Sequence, residues 1–300
     1  SENALEIFRS LRHCVNVELF GISNLECHAQ TLFKNFQINF PNYDDKNFID
    51  TFNEFIHNNQ INFIFPTHDD IVLFLSKKRK IIQANIIASD YETALLCRKK
   101  NSFYKKIKDK PYCPMVFSKN DKLLDKHIFI KPNEGQGGIG GKKIETKSFS
   151  FSDLPKDIIV MEYLPNKEFT IDCFTTKNGN LLFHGIRERK RTMDGICTRG
   201  KVIFNDQISE IAIDINNSIR FRGAWFFQVK YDKNGNPKVL EISSRISGTM
   251  NTFRQNGINF PLLALNDKAG NELSIINNNL KYEVDRCLQS RYINNLDYEY

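Results

Sequence analysis

The stretch Ile128-Phe129-Ile130-Lys131-Pro132-Asn133-Glu134-Gly135-Gln136-Gly137-Gly138-Ile139-Gly140-Gly141 ends an apolar run on a lysine and then places five glycines in seven residues. Glycine lets a backbone turn sharply and bring its N–H groups close to an anion. Lys131 adds a compact positive charge for the same anion. No Gly-Lys-Ser/Thr follows, so this is not a Walker loop. The chain runs on into the strand-like Lys142 to Glu145 instead of a helix, so it is not a dinucleotide fingerprint either. The glycines alone suit a flexible hairpin tip as well as a phosphate cradle. Lys131-Pro132 in front favours phosphate.

A second block runs Val160-Met161-Glu162-Tyr163-Leu164-Pro165-Asn166-Lys167-Glu168-Phe169-Thr170-Ile171-Asp172. One apolar strand ends in Glu-Tyr-Leu-Pro and another opens on an acid. Alternation places Glu168, Thr170 and Asp172 on one face. A carboxylate there suits a ribose diol, held through two hydrogen bonds. Taken alone, the pattern reads as the polar outer face of a sheet.

The third block pairs Trp225-Phe226-Phe227-Gln228-Val229-Lys230 with Val239-Leu240-Glu241-Ile242-Ser243-Ser244-Arg245. Glu241 and Ser243 share a strand face, and Gln228 across the hairpin joins them. Oxygen ligands from one face suit magnesium, which keeps waters and takes phosphate oxygens. Arg245 lies just beyond, a bidentate fork for a carboxylate or phosphate. Between the blocks, Arg187-Glu188-Arg189-Lys190-Arg191 is expected on a loop before Gly195. Such a run is usually a solvated face; here it also suits a transferring phosphoryl group.

These residues need elements to position them. The first ninety residues alternate helix and strand signals. Ser1 caps a helix with Leu5, Phe8 and Leu11 on one side. Val15 to Phe20 reads as a strand. Asp44 and Asp45 open a helix carrying Phe48, Phe52, Phe55 and Ile56. Ile61 to Phe65 is a strand, and a helix follows from about Asp69. His68, beside Asp69 and Asp70, reads as a loop-and-cap cluster. Asn85 to Ala88 is a strand, and Ser89 or Asp90 caps one long helix to about Lys108. Alternating units of this kind predict a parallel sheet covered on both faces. A chain opening on a helix lacks the strand before it, so a first strand is expected upstream of Ser1.

From Pro111 the texture changes to strands: His127 to Lys131, Lys142 to Glu145, Ile158 to Tyr163, Phe169 to Thr175, Leu181 to Arg187 and Lys201 to Phe204. A helix over Asp206 to Ile219 interrupts. Trp225 to Tyr231 and Pro237 to Ile242 form a hairpin around Asn234-Gly235, and a last helix spans Pro261 to Ala269.

The bulk numbers exclude several classes. No apolar run approaches the ~20 residues that cross a bilayer, and the polar Ser1-Glu2-Asn3 opening shows no signal-peptide pattern. Seven cysteines, none at CxxC spacing, predict buried thiols in a reducing compartment, the cytoplasm, and no zinc site. A net charge of +7 fits a phosphorylated cofactor or acidic substrate. The basic run Ser76-Lys77-Lys78-Arg79-Lys80 reads as the last turn of a helix, not as a nucleic-acid site.

In this order and spacing the three blocks resemble the ATP-grasp superfamily, above all its carbamoyl-phosphate-synthase large-subunit-like and carboxylate–amine ligase branch. The resemblance covers roughly residues 85 to 275. It implies an α/β and α+β fold: an N-terminal parallel-sheet domain over 1–90, then a two-lobed ATP-grasp domain over 91–300 with a small nucleotide lid lobe about 110–165. It implies ATP and Mg2+ as cofactors, with Mn2+ as the substitute ion. Lys100 falls where the family carries a phosphate-contacting lysine, and Lys131 matches its second phosphate-binding cation. Gly135, Gly137 and Gly138 belong to the phosphate-covering loop. Glu162, Tyr163 and Leu164 match the hinge that reads adenine, and Glu168 the ribose carboxylate. Gln228, Glu241 and Ser243 match the metal positions. Arg245 matches the arginine of a Glu-Ile-Asn-Pro-Arg motif, with Arg187 and Arg189 as further catalytic cations. Gly248 and Gly257 to Pro261 complete the pattern.

The chain departs from the family in reading Glu-Ile-Ser-Ser-Arg, so that Ser243 replaces an asparagine, and in carrying Lys99 where an aspartate is usual. The expected chemistry is activation of a carboxylate as an acyl phosphate, then attack by an amine. The partners implied are small-molecule acids and amines, with no nucleic acid and no membrane; a homodimer is compatible. Three alternatives stand beside this: bicarbonate as the acid, giving carboxyphosphate or carbamate chemistry; a non-catalytic ATP-binding module; and, weakest, a nucleic-acid-binding module.

Overall fold

A computed structural model describes residues 2–135, 138–193, 195–275 and 283–285. Helix α1 (Glu2–Leu11) buries Leu5, Ile7 and Leu11; its expected cap, Ser1, lies outside the described residues. The strand expected over Val15 to Phe20 is displaced. Val15 is 99% exposed, and Val17 and Leu19 pack by their side chains on a cluster of helix and strand residues without joining a sheet. The strand is instead β1 (Phe20–Ile22), parallel to β2 (Asn35–Gln37).

Helix α2 (Phe48–Asn58) starts three residues beyond Asp45 and buries Phe48, Phe52 and Ile56, the face the spacing predicts. Strand β3 (Phe63–Ile64), helix α3 (Asp69–Lys78) and strand β4 (Asn85–Ile86) follow, with β3 and β4 parallel. The parallel pairing expected here is present, as two separate two-stranded pairs.

Asp90 caps α4 (Tyr91–Arg98), its carboxylate accepting from the Thr93 N–H. The single long helix expected to Lys108 is broken. Lys99 is extended, α5 is Lys100–Lys106, and the Lys100 N–H turns away to the Asn133 carbonyl at 3.2 Å. The break ties α5 to the start of the glycine loop.

Strands β5 (Val116–Phe117), β6 (His127–Pro132), β7 (Lys142–Glu145) and β8 (Ile158–Glu162) form an antiparallel sheet in the order β5-β8-β6-β7. Its core is Ile128, Ile130 and Val160. The larger sheet takes β9 (Glu168–Thr175), β10 (Leu181–Met193), β11 (Ile196–Ile203), β12 (Gly223–Tyr231), β13 (Pro237–Ser243) and β14 (Glu283–Asp285) in the order β13-β12-β9-β10-β11-β14. Helix α6 (Asp206–Ser218) follows β11, and α7 (Asn251–Arg254) and α8 (Phe260–Ala269) follow β13.

The two faces of this sheet are chemically opposite. Phe169, Ile171, Cys173, Ile186, Phe227 and Val229 point to α6 and α5 and form the main core. On the other face, Glu241, Gln228, Thr170 and Arg187 stand directly opposite one another across four strands. Further along that face the residues turn apolar. Phe174, Phe183 and Ala224 meet Met250, Phe253 and Phe260. A sheet face buried at one end and polar at the other marks the polar end as a site.

One irregularity makes this arrangement. Strict alternation would put Val239 and Glu241 on the same face. The register shifts between Gln228/Glu241 and Val229/Val239, leaving Leu240 as an extra residue. This β-bulge keeps Val239 in the core and turns Glu241 and Ser243 outward. The turn at the hairpin end fixes the register: Asp232 accepts from the backbone N–H of Asn234 and Asn236, each at 2.8 Å, and Gly235 takes a left-handed φ of 82°.

Candidate active site

The bulge frees the Leu240 carbonyl from the ladder, and the opposing lobe takes it. Lys131, near the end of β6, donates to it at 2.7 Å, and the Tyr104 hydroxyl of α5 donates to the same oxygen. Lys131 also donates to Tyr104 at 2.7 Å. The two lobes thus meet over one buried amine. Burial pushes the Lys131 ammonium down to about 7, against the pull of Glu241. In the free protein the amine is therefore largely neutral above pH 7, while a bound polyphosphate favours its charged form. We expect nucleotide binding above that pH to take up a proton, and affinity to fall as pH rises from 7 to 9. Calorimetry in buffers of different ionisation enthalpy checks this. The stability linkage runs the other way. Between about 7 and the ordinary 10.5 the unfolded chain carries the extra proton, so this group favours folding as pH rises through that window.

Beside this contact lies a pocket open to solvent, lined by Asp69, Lys100, Gly135, Phe226, Glu241, Ser243 and Arg245 among others. Lys100 Nζ donates to the Gly135 carbonyl at 3.2 Å, so it anchors the mouth of the glycine loop. Burial lowers its pKa as well. The loop needs its glycines. A Cβ on Gly140, whose φ is +77°, would lie 2.9 Å from the Pro132 ring. Gly137 lies outside the described residues.

Arg245 does not present the open fork expected of it. Asp69, at the start of α3, takes that fork: Nε and Nη2 of Arg245 donate to its two oxygens at 3.0 Å each. The Ser243 hydroxyl donates to the same carboxylate at 2.7 Å. Burial pushes the Asp69 carboxyl up, yet Arg245, Ser243 and Arg98 together hold it below its ordinary value. In sequence Asp69 reads as one member of a loop-and-cap cluster with His68 and Asp70. His68 does cap α3, accepting from the Asp70 N–H at 3.4 Å, but Asp69 faces the site.

The arginine run expected on a loop is part of β10. The reason is pairing across strands. Arg187 is 1% exposed and donates from Nε to Asp172 at 2.7 Å and from Nη2 to Ser247 at 3.3 Å. Arg189 lies 2.7 Å from Glu168, which also has Lys230 at 3.8 Å. Glu168, expected to hold a ribose, is therefore already bound to two cations. The Arg187 Nη1 is buried with no hydrogen-bond partner among the described residues.

Glu162, Tyr163 and Leu164 sit apart from the pocket, at the end of β8. Glu162 binds Met115 through backbone and side chain, at 2.9 and 2.8 Å. Burial raises its pKa. Lys143 lies 4.5 Å over the Tyr163 ring, and Leu164 belongs to the core.

The fold has counterparts. Residues 155–290 match the family described as ATP-grasp in the biosynthetic pathway with Ter operon. N5-carboxyaminoimidazole synthetase from Staphylococcus aureus, solved with ADP, superimposes with a TM-score of 0.72 at 16% identity over 92% of this chain and 76% of that one. This is an ATP-grasp fold. Two further matches are an L-amino acid ligase from Bacillus licheniformis (TM-score 0.67, 16% identity, 89% of this chain and 72% of that one) and pyruvate carboxylase from Rhizobium etli. The latter match has a TM-score of 0.71 at 14% identity and covers 91% of this chain but 28% of that one. Among curated proteins none matches the chain.

The donor set of this cleft suits a magnesium nucleotide. Glu241 and Ser243 line the cleft from one strand and Lys100 lines it too, whereas Gln228, paired opposite Glu241, and Lys131, bound to the Leu240 carbonyl, lie outside its lining. Among the described residues no cluster of three or more His, Cys, Asp or Glu is present. A cation here would complete its shell with phosphate oxygens and water, as magnesium does. Among those residues no helix is long and apolar enough to cross a membrane.

Proposed function

We propose that this chain is an ATP-dependent ligase that activates a carboxylate as an acyl phosphate for attack by an amine. One observation carries the reading: Lys100 and Gly135 on one side, and Glu241, Ser243 and Arg245 on the other, line a single cleft, with the Lys131 amine buried behind it on the Leu240 carbonyl. The neighbours named above include a protein solved with ADP and an amino acid ligase. We assign residues 1–90 to an N-terminal α/β domain and the remainder to the ATP-grasp domain.

In this reading Lys100 and Lys131 hold phosphate oxygens, and closing the glycine loop keeps water from the acyl phosphate. Glu241, with Gln228 and Ser243, would hold magnesium, which neutralises charge on the transferring phosphoryl group when bound. A carboxylate oxygen attacks the γ-phosphorus as its bond to the ADP oxygen breaks. The amine nitrogen then attacks the acyl carbon, releasing phosphate. Arg187 and Arg189 are each engaged by a carboxylate, Asp172 and Glu168, at 2.7 Å, and each would act as a further catalytic cation only through its remaining N–H groups. No covalent enzyme nucleophile is required.

A paired screen of amino acids and small acids for ADP release tests this. At least one acid–amine pair should raise release well above ATP alone. If ATP binds and no pair, bicarbonate included, stimulates release, the chain is a non-catalytic ATP-binding module.

A further inference from the structure

Asp69 enters the candidate site from outside the strands that build it. It is 174 residues from Ser243 in sequence, yet its carboxylate accepts from Ser243 Oγ and from two nitrogens of Arg245. The side chain is not there by looseness. His68 caps the helix that carries it, and the adjacent Asp70 binds Arg98 at 2.7 Å, fastening α3 to the end of α4. Arg245 is held on a third side by the Phe226 ring, 5.2 Å from its guanidinium carbon, and by the Ile246 carbonyl at 3.1 Å.

Two consequences follow from hydrogen-bond chemistry. A serine hydroxyl has one proton and two lone pairs. With the proton committed to Asp69, Ser243 offers the pocket lone pairs only, so a weak alcohol becomes a better oxygen ligand. Arg245, with its bidentate edge occupied, can meet an incoming anion only through the remaining N–H bonds of its terminal nitrogens. The carboxylate also offsets the Arg245 charge next to Glu241, which lines the same pocket. Without it the pocket would attract a bare polyphosphate more strongly and a divalent cation less.

We infer that Asp69 is a positioning residue of the nucleotide site, delivered by the N-terminal part of the chain, which aims Ser243 and Arg245 and sets how strongly nucleotide binding depends on magnesium. It rests on the proposed function in taking the pocket as a nucleotide site.

The test is calorimetric titration of the full chain with ATP, once with excess Mg2+ and once with EDTA, read as the ratio of the two dissociation constants. Asp69→Asn should reduce the magnesium enhancement roughly tenfold or more, because the magnesium arm weakens while the EDTA arm holds or tightens. Asp69→Glu should recover part of it. A change that weakens both arms equally would show a merely structural role and overturn the inference, as would an unchanged ratio. Ser243→Ala leaves the Asp69–Arg245 pair in place and carries the test should Asp69→Asn fail to fold. The ratio must fall there too, and an unchanged ratio overturns the inference. If the wild-type chain binds ATP in neither arm, the nucleotide reading itself fails; if it binds and only the variants disagree, this inference alone fails.

Discussion

Glu241→Gln is expected to abolish magnesium-dependent ADP release while leaving the fold intact. The glutamine is isosteric, and the hairpin that carries it is held by the Asp232 turn and by the core residues Val239 and Ile242, none of which the change touches. What it removes is a negative charge with two equivalent oxygens. Glu241 would offer a divalent cation two anionic oxygens, which neither Gln228 nor Ser243 does. Loss of such charge stabilisation typically costs a hundredfold to a thousandfold, on the order of 3–4 kcal/mol in the barrier. Ser243→Ala should cost less, because a serine hydroxyl is the weaker ligand even with Asp69 behind it. Magnesium titrations of ADP release on the wild type and both variants separate the two effects. Near-normal turnover in Glu241→Gln would make it an ordinary strand residue.

Lys131→Met should weaken ATP binding by about tenfold to a hundredfold, the range expected for losing one charged hydrogen bond. Methionine matches the length of the lysine stem and tolerates the buried surroundings. The variant should also lose the proton uptake expected of the wild type above pH 7, because the amine whose pKa burial holds near 7 is gone. The second readout matters more than the first. A variant that merely loosened the lobe contact at Leu240 would weaken binding and keep the proton linkage.

The parts of this site that sequence reveals are those whose chemistry lies in residue type at a strand end. Lys131 before a glycine run, and Glu241 and Ser243 on one strand, need no tertiary contact to be noticed. What stayed hidden depends on pairing. The bulge at Leu240 is a single extra residue whose presence is decided by the partner strand. It determines that Glu241 leaves the core face and that a backbone carbonyl becomes available to Lys131. The charge run at Arg187 and Arg189 reads as a solvated loop because buried arginines are stable only with acids beside them. Those acids, Asp172 and Glu168, are placed by the register of β9 against β10. Asp69 was hidden for a similar reason. In sequence it is one of two acids opening a helix, which is where acids favour the helix dipole anyway. Only the packing of α3 against the end of β13 shows that one of the pair serves Arg98 and the other serves Arg245. The misplaced strand at Val15 to Phe20 failed on the same ground, since alternating apolar residues can also be buried against helices.

The central claim is that one cleft binds ATP with magnesium, and the most direct measurement is a calorimetric titration of the full chain with ATP in excess Mg2+. The account predicts saturable one-to-one binding, tighter with magnesium than with EDTA and weaker as pH rises from 7 to 9. No saturable heat up to millimolar ATP, in a chain shown to be folded, would contradict it.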